Sequence, residues 1–81
     1  MDRTRRFSEK QGQYLAFIYN YTKIHGIAPA EADLQRYFQV TPPTIHQMIL
    51  RLERNELISR EPGVARSIQL LVEADEIPKL V

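Results

Sequence analysis

The stretch VTPPTIHQMILRLERN, residues 40–55, decides how this chain folds. Thr41 can accept a hydrogen bond from one of the unpaired amides that begin a helix, and the two prolines after it need no intrahelical partner there. Apolar side chains then recur with helical spacing at Ile45, Met48, Ile49 and Leu52. The remaining positions carry hydrogen-bonding or cationic groups: Thr44, His46, Gln47, Arg51 and Arg54. A helix with one apolar face and one donor-rich face suits insertion into a groove of DNA.

Two further helices are predicted before this one. Ser8 and Gln11 have the spacing of a capping box, and apolar residues keep the helical period up to Gly26, a residue type that commonly follows a helix. A shorter helix is expected over residues 30–38, followed by a tight turn into the Thr41 helix.

The short helix should turn three side chains inward: Leu34, Tyr37 and Phe38. Its first position, Ala30, has no side chain that can cap a helix, so its start is expected to fray. Asn55 is expected to end the Thr41 helix in the left-handed conformation.

After residue 55 the apolar period changes from helical to alternating, which predicts strands. Residues 57–60 and 66–70 are the candidates, and Pro62-Gly63 between them is strong turn chemistry. Three helices followed by a hairpin predict an α+β, mainly α fold: a winged helix-turn-helix with a two-stranded β-hairpin as its wing. We divide the chain into a flexible basic arm (residues 1–7), the winged helix-turn-helix domain (8–71) and an acidic C-terminal tail (72–81).

The composition limits the classes to which the chain can belong. Its 81 residues form one domain with a small core, and the absence of cysteine excludes disulfides and a thiolate metal site. No apolar run approaches the ~20 residues of a membrane span, and no signal peptide is visible, so we expect a cytoplasmic protein without a membrane partner.

Charge is distributed unevenly along the chain. Residues 3–70 carry ten lysines and arginines against six acids, whereas residues 71–81 carry one lysine against three acids. The basic domain favours an anionic partner. The acidic tail is either a solvated end or a segment that folds back on the basic face, and the sequence leaves both open.

The chain resembles the DNA-binding domain of the bacterial SOS repressor LexA. Three segments carry the resemblance: GIAPAEADLQRYF (26–38), TPPTIHQMILRLERNELI (41–58) and PGVARSIQLL (62–71). The last contains the Arg-x-Ile-x-Leu pattern with which the wing of that family closes. The resemblance implies a winged helix whose third helix reads double-stranded DNA in a repressor of transcription.

The chain also departs from the LexA pattern. Ala30 and Glu31 stand where the family has a capping Thr or Ser and a basic or polar residue, which argues against the phosphate contact expected there. At the DNA-reading positions of its third helix, the family carries Asn, Ala and two Glu. This chain has Pro43, Thr44, His46 and Gln47 at those positions. A different base sequence is therefore implied. No cleavage site or Ser/Lys pair follows the domain, so we expect neither autoproteolysis nor the family's dimerisation module.

These patterns select the residues expected to contact DNA. Gln47 can pair with N6 and N7 of adenine, and Thr44 or His46 can reach base edges or a thymine methyl group. Arg51 and Arg54 are expected to meet phosphates. The cations that flank the wing can enter a minor groove or bind phosphates, and the arm residues Arg3, Arg5 and Arg6 can follow a minor groove. The DNA-binding candidates are Thr41, Pro43, Thr44, His46, Gln47, Arg51, Arg60, Arg66 and Ser67. The alternative for each is an ordinary solvated or packed side chain.

Other functions find less support in the sequence. No catalytic constellation and no phosphate-binding glycine loop is present, so we expect no enzyme and no cofactor. His25 and His46 lack partners at metal-ligand spacing, so we expect no metal site. We expect a bacterial or phage transcription regulator that binds double-stranded DNA sequence-specifically. The rival is a winged-helix adaptor in a phage, plasmid or transposon assembly, with an exposed Tyr19 contacting a homodimer or a protein partner.

Overall fold

A computed structural model describes residues 6–81. Its elements are α1 (Glu9–His25), α2 (Glu31–Phe38), α3 (Pro42–Arg54), β1 (Ile58–Ser59), β2 (Gln69–Leu70) and a 3₁₀ turn (Ala74–Glu76). The two strands pair antiparallel. Three helices followed by a hairpin confirm the mainly helical winged helix-turn-helix fold expected from the sequence.

Helix α1 is closed at both ends by the residues that the sequence indicates. The Ser8 hydroxyl accepts a hydrogen bond from the Gln11 amide at 3.1 Å, and the Gln11 side chain accepts one from the Ser8 amide at 3.0 Å. At the other end Gly26 is left-handed, with φ of 76°, and its amide donates to the carbonyl of Thr22. These bonds satisfy backbone groups that the helix would leave unpaired, so α1 begins and ends at defined residues.

Helix α2 is fixed at its start by a residue from its own first turn. Asp33 Oδ2 accepts a hydrogen bond from the Ala30 amide at 2.8 Å, which compensates for the missing cap on Ala30. Leu34 is fully buried and Phe38 packs against the core as expected. The prediction for Tyr37 is wrong, because its side chain is 44% exposed. Its hydroxyl donates to the carbonyl of Val81 at 3.1 Å, which holds the ring at the surface.

Helix α3 begins at the residue that the sequence predicts and ends at Arg54, but the left-handed residue after it differs from the prediction. The Thr41 hydroxyl accepts a hydrogen bond from the Thr44 amide at 3.4 Å, and the two prolines occupy the first two helical positions. The left-handed Asn55 is a wrong prediction: Asn55 has φ of −84°, and the left-handed residue is Glu56, with φ of 61°. The Asn55 amide bonds to the carbonyl of Arg51, so the left-handed residue comes one position later than expected.

The wing has a shorter ladder than the sequence suggests. Each strand contributes two residues, which pair as Ile58 with Leu70 and Ser59 with Gln69. Two features end the ladder. The Ser67 hydroxyl, rather than a strand carbonyl, accepts the hydrogen bond of the Glu61 amide at 2.9 Å, and Arg66 is left-handed with φ of 57°.

The tip of the wing is a turn over residues 61–64. The Val64 amide donates to the Glu61 carbonyl at 3.1 Å, and Gly63 has φ of 76°. Pro followed by Gly is the preferred pair at the centre of a type II turn, because proline presets the first angle and glycine accepts a positive φ. The Pro62-Gly63 signal therefore predicts the position of the turn correctly.

The helices and the hairpin share one core. Its members are Phe7, Tyr14, Leu15, Ile18, Leu34, Ile45, Ile49, Leu52, Leu57, Ile58 and Ile68. The three from α3 are at most 1% exposed, and Met48 packs beside them. Fully burying an aliphatic side chain of this size stabilises a fold by roughly 1.5–3 kcal/mol. This stripe therefore fixes which face of α3 remains at the surface.

Residues from both ends of the described chain pack on α1. Phe7, which the sequence assigns to the arm, is only 7% exposed. In the tail, the Lys79 carbonyl accepts from the Gln13 side-chain amide at 2.8 Å, and the Val81 amide donates to the same side chain at 2.9 Å. The donor-rich face of α3 stays exposed, so the described tail folds onto α1 and not onto that face.

Candidate nucleic-acid interface

The exposed face of α3 brings several sequence-predicted residues together. Thr44, His46, Gln47 and Arg51 all lie at the surface. Because helical residues three, four or seven apart share a face, Thr44, Gln47 and Arg51 form one stripe. His46 lies about 100° around the helix from Gln47. The stripe presents a hydroxyl, an amide and a guanidinium group in a row along the helix.

Thr41 and Pro43 shape the N-terminal end of this stripe. The hydroxyl oxygens of Thr41 and Thr44 lie 2.9 Å apart and share a hydrogen bond. One of the two hydroxyls donates to the other, so one hydroxyl hydrogen remains for a partner outside the protein. The exposed Pro43 ring adds apolar surface beside them.

His46 lies next to an acid from α2. Its Nδ1 atom is 3.6 Å from Oε1 of Glu31, and both side chains are partly exposed. The two residues are far apart in sequence, and only the tight turn between α2 and α3 brings them together, so sequence periodicity does not reveal the pair. The Glu31 carboxylate places negative charge on this flank of α3.

Lys10 and Tyr14 of α1 face the opposite flank of α3, and the sequence reasoning missed them as interface residues. They line an open groove together with Pro43, Thr44, Gln47, Met48 and Arg51. The signal that could have placed Lys10 there is its spacing of four residues from Tyr14, a core position of α1.

Tyr14 forms the buried part of this groove. Its side chain is 1% exposed, and its ring stacks on Phe38 with centroids 4.1 Å apart. Within residues 6–81, its hydroxyl is a buried side-chain group with no hydrogen-bond partner. Burial disfavours the phenolate and raises the pKa of Tyr14.

Arg66, a predicted phosphate contact, already has partners inside the protein. Its Nη1 atom donates to the Tyr21 hydroxyl at 3.1 Å, to the Ala28 carbonyl at 3.2 Å and to Asp33 Oδ2 at 3.1 Å. The hydrogen bond from the Ala30 amide and the Arg66 charge hold the pKa of Asp33 below its ordinary value of 3.8. Arg66 thus ties the wing to α1 and α2, while its side chain remains 40% exposed.

Arg60 and Ser67 are also engaged within the domain. Nε of Arg60 donates to Glu53 Oε1 at 3.2 Å, which ties the wing to α3. The Ser67 hydroxyl accepts from the Glu61 amide and lies 2.9 Å from the Val64 carbonyl, to which it can donate. Arg60 retains unused N–H groups, whereas the Ser67 hydroxyl is occupied by the turn at the wing tip.

Two other predicted segments lie away from the stripe. Arg3 and Arg5 of the arm fall outside the described residues, whereas Arg6 forms an ion pair with Glu76 at 3.8 Å and donates to the Glu56 carbonyl at 3.2 Å. The prediction of an exposed Tyr19 is wrong, because its side chain is half-buried on α1, with the Lys23 ammonium group 5.4 Å from its ring centroid.

The described residues offer neither a metal site nor a membrane segment. Within residues 6–81, no three His, Cys, Asp or Glu side chains lie close enough together to hold a metal ion. None of the three helices in this part of the chain has the length and apolar character that crossing a membrane requires.

A helix-turn-helix with an exposed, donor-rich second helix and a hairpin wing defines the winged-helix class of DNA-binding domains. Within that class, the chain belongs to the family of iron-dependent repressor N-terminal DNA-binding domains, whose model matches residues 6–65. The family description names iron, and among residues 6–81 no group of three His, Cys, Asp or Glu side chains that could hold a metal ion is found.

The curated relatives of the chain include LexA repressors. The chain is 34% identical over 73 residues to the LexA repressor of Thermosipho melanesiensis, an alignment that covers 90% of this chain and 37% of that protein. It is 33% identical over 67 residues to that of Thermosipho africanus, covering 83% and 34%. It is 29% identical over 75 residues to that of Clostridium perfringens, covering 91% and 37%. The chain thus spans about a third of the length of these relatives.

Proposed function

We propose that this chain binds double-stranded DNA sequence-specifically and acts as a LexA-like regulator of transcription. The observation that carries the proposal is the exposed stripe of Thr44, Gln47 and Arg51 on a helix whose other face is buried in the core. An α-helix with its side chains is about 10–12 Å wide and fits the major groove of B-DNA, which is about 12 Å wide. The family match and the LexA relatives support the same assignment.

In this proposal, the N-terminal half of α3 reads base edges. Gln47 pairs with N6 and N7 of an adenine, and Thr44 donates its hydroxyl hydrogen or contacts a thymine methyl group. His46 reaches an adjacent base from the flank beside Glu31. Thr41 and Pro43 contact the DNA at the end of the helix that enters the groove first.

The same proposal assigns the flanking cations to the DNA backbone. Arg51 has no partner among residues 6–81 and contributes a full phosphate contact. Arg60 and Arg66 contact the adjacent backbone from the wing through the N–H groups that their internal bonds leave unused. Ser67 lies beside them at the backbone, with its hydroxyl hydrogen already donated within the turn. Because Arg60 and Arg66 each face a carboxylate, their contribution to salt-dependent binding is smaller than that of Arg51.

One domain of this size buries too little DNA surface for high specificity. Single modules bury about 600–1,000 Å² of protein surface, whereas specific complexes of larger or dimeric proteins bury up to about 2,500 Å². We therefore expect two copies to bind a two-fold symmetric site, with half-sites separated by whole helical turns.

The test is a selection of random duplex DNA by the purified protein, followed by binding measurements on the enriched site. The expected result is an enriched motif, with Gln47→Ala relaxing the preference at one base position and Arg51→Ala weakening all sequences alike. Equal loss of every sequence on Gln47→Ala would contradict base reading by α3. The absence of any enriched motif would contradict sequence-specific binding as a whole.

A second candidate is a winged-helix adaptor that binds another protein. The specific observation in its favour is that both wing arginines face carboxylates within the domain, Arg60 facing Glu53 and Arg66 facing Asp33. Cations on a wing increase the affinity for DNA when they are free to contact phosphates. The selection separates the two, because an adaptor enriches no DNA motif.

A further inference from the structure

The groove between α1 and α3 has a polar rim and contributions from both helices. On α3, Thr44, Gln47 and Arg51 line it, and on α1 it is lined by Lys10 and Tyr14. Lys10 lies one turn before Tyr14 on the same face of α1, and its side chain is exposed, whereas Tyr14 is buried. Two cations, one from each helix, therefore border the same groove.

Lys10 occupies a position that helix stability alone does not favour. It stands in the first turn of α1, where the helix dipole is positive and favours an acid. Within the described part of the chain, Lys10 and Arg51 form no ion pair, in contrast to Arg60 and Arg66. Their charges are therefore free to bind an anion.

The two flanks of α3 differ in charge. If α3 fills the major groove, each flank lies beside one of the phosphodiester strands that border it, because the helix and the groove have nearly the same width. The α2 flank carries the Glu31 carboxylate, 3.6 Å from His46. The α1 flank carries Lys10 and Arg51. A phosphate is attracted to the α1 flank and repelled from the α2 flank.

We propose that Lys10 and Arg51 together bind one segment of the DNA backbone in the groove between α1 and α3. This inference rests on the proposed function and extends it, because it makes α1 a DNA-binding element and assigns the main phosphate contacts to this flank rather than to the wing. The backbone segment held there fixes the position of Gln47 along the base pairs.

The test compares salt dependence of binding to one duplex for four proteins. These are the unchanged chain, Lys10→Met, Arg51→Met and the control Lys23→Met, which removes the same charge about 20 Å further along α1. A plot of log affinity against log salt has a negative slope, and each lost phosphate contact makes that slope less steep by about 0.9. The factor by which affinity falls between about 50 and 200 mM salt is then about 3.5 times smaller. Lys10→Met and Arg51→Met should each show this change, and Lys23→Met should match the unchanged chain.

The outcomes distinguish the two proposals. If the unchanged chain binds the duplex but Lys10→Met has the same slope as Lys23→Met, the phosphate site between α1 and α3 is refuted while DNA binding stands. If the unchanged chain binds no duplex at all, the proposed function fails and the inference fails with it. Circular dichroism of Lys10→Met should be unchanged, because the residue is exposed and its charge opposes the helix dipole.

Discussion

The unpaired hydroxyl of Tyr14 makes a sharp prediction about stability. The side chain is 1% exposed, and the hydroxyl has no hydrogen-bond partner among residues 6–81. A buried polar group without a partner costs about 1–3 kcal/mol, because folding removes its hydrogen bonds to water without replacing them. Tyr14→Phe keeps the ring stacked on Phe38, 4.1 Å away, and removes only the oxygen. We expect this variant to be about 1 kcal/mol more stable than the unchanged chain.

The assay is urea unfolding followed by circular dichroism, with Tyr21→Phe as the matched control. For a domain of this size, 1 kcal/mol corresponds to a rise of about 4–8 °C in Tm and, in urea, to a higher midpoint at unchanged slope. Tyr21→Phe removes a hydroxyl that accepts a hydrogen bond from Arg66 at 3.1 Å, so its midpoint should fall. If Tyr14→Phe also lowers the midpoint, the Tyr14 hydroxyl stabilises the fold through a partner, such as a buried water, which contradicts the cost assigned to it here.

Two further predictions concern the segments that Asp33 and Gln13 hold in place. The pKa of Asp33 is lowered in the folded state, so its contribution to stability is complete above about pH 4 and is lost as the pH falls through the folded-state pKa. When the pH falls from about 5 to about 3, the free energy of unfolding of the unchanged chain should therefore decrease by more than that of Asp33→Asn. Equal decreases would contradict the role of this carboxylate. Gln13→Ala removes both hydrogen bonds to the tail, so the Val81 amide should exchange with deuterium faster. In the control Gln69→Ala, a change at an exposed strand position, the Val81 amide should exchange as in the unchanged chain. Unchanged exchange at Val81 would show that other contacts hold the tail.

The elements that depend on local sequence were predictable. The capping box of Ser8 and Gln11, the left-handed Gly26, the Thr41 cap and the Pro62-Gly63 turn each depend on residues within a few positions of one another. Such signals specify helix ends and turns without reference to the rest of the fold. The buried stripe of α3 follows in the same way from the spacing of its apolar residues.

The features that the sequence did not reveal depend on distant residues. Tyr37 is exposed because the tail returns to it, and the strands are short because Ser67 takes the hydrogen bond of Glu61. The network of Arg66 with Tyr21 and Asp33 joins three separate parts of the chain. Periodicity describes one element at a time, so it cannot show these pairings.

The candidate site divides in the same manner. The exposed residues of α3 could be selected from one helix, because the apolar positions determine which side chains remain outside. Lys10 and Glu31, which give the two flanks of α3 opposite charges, come from α1 and α2. Only the packing of the three helices brings them beside the stripe.

The most direct test of the central claim is a map of backbone amide shifts when the protein binds its selected duplex. The account predicts that the amides of Thr44, His46 and Gln47 shift most, together with that of Lys10 and those of the wing. Shifts confined to residues outside α3 and the wing, with the amides of α3 unchanged, would contradict the claim that α3 reads DNA.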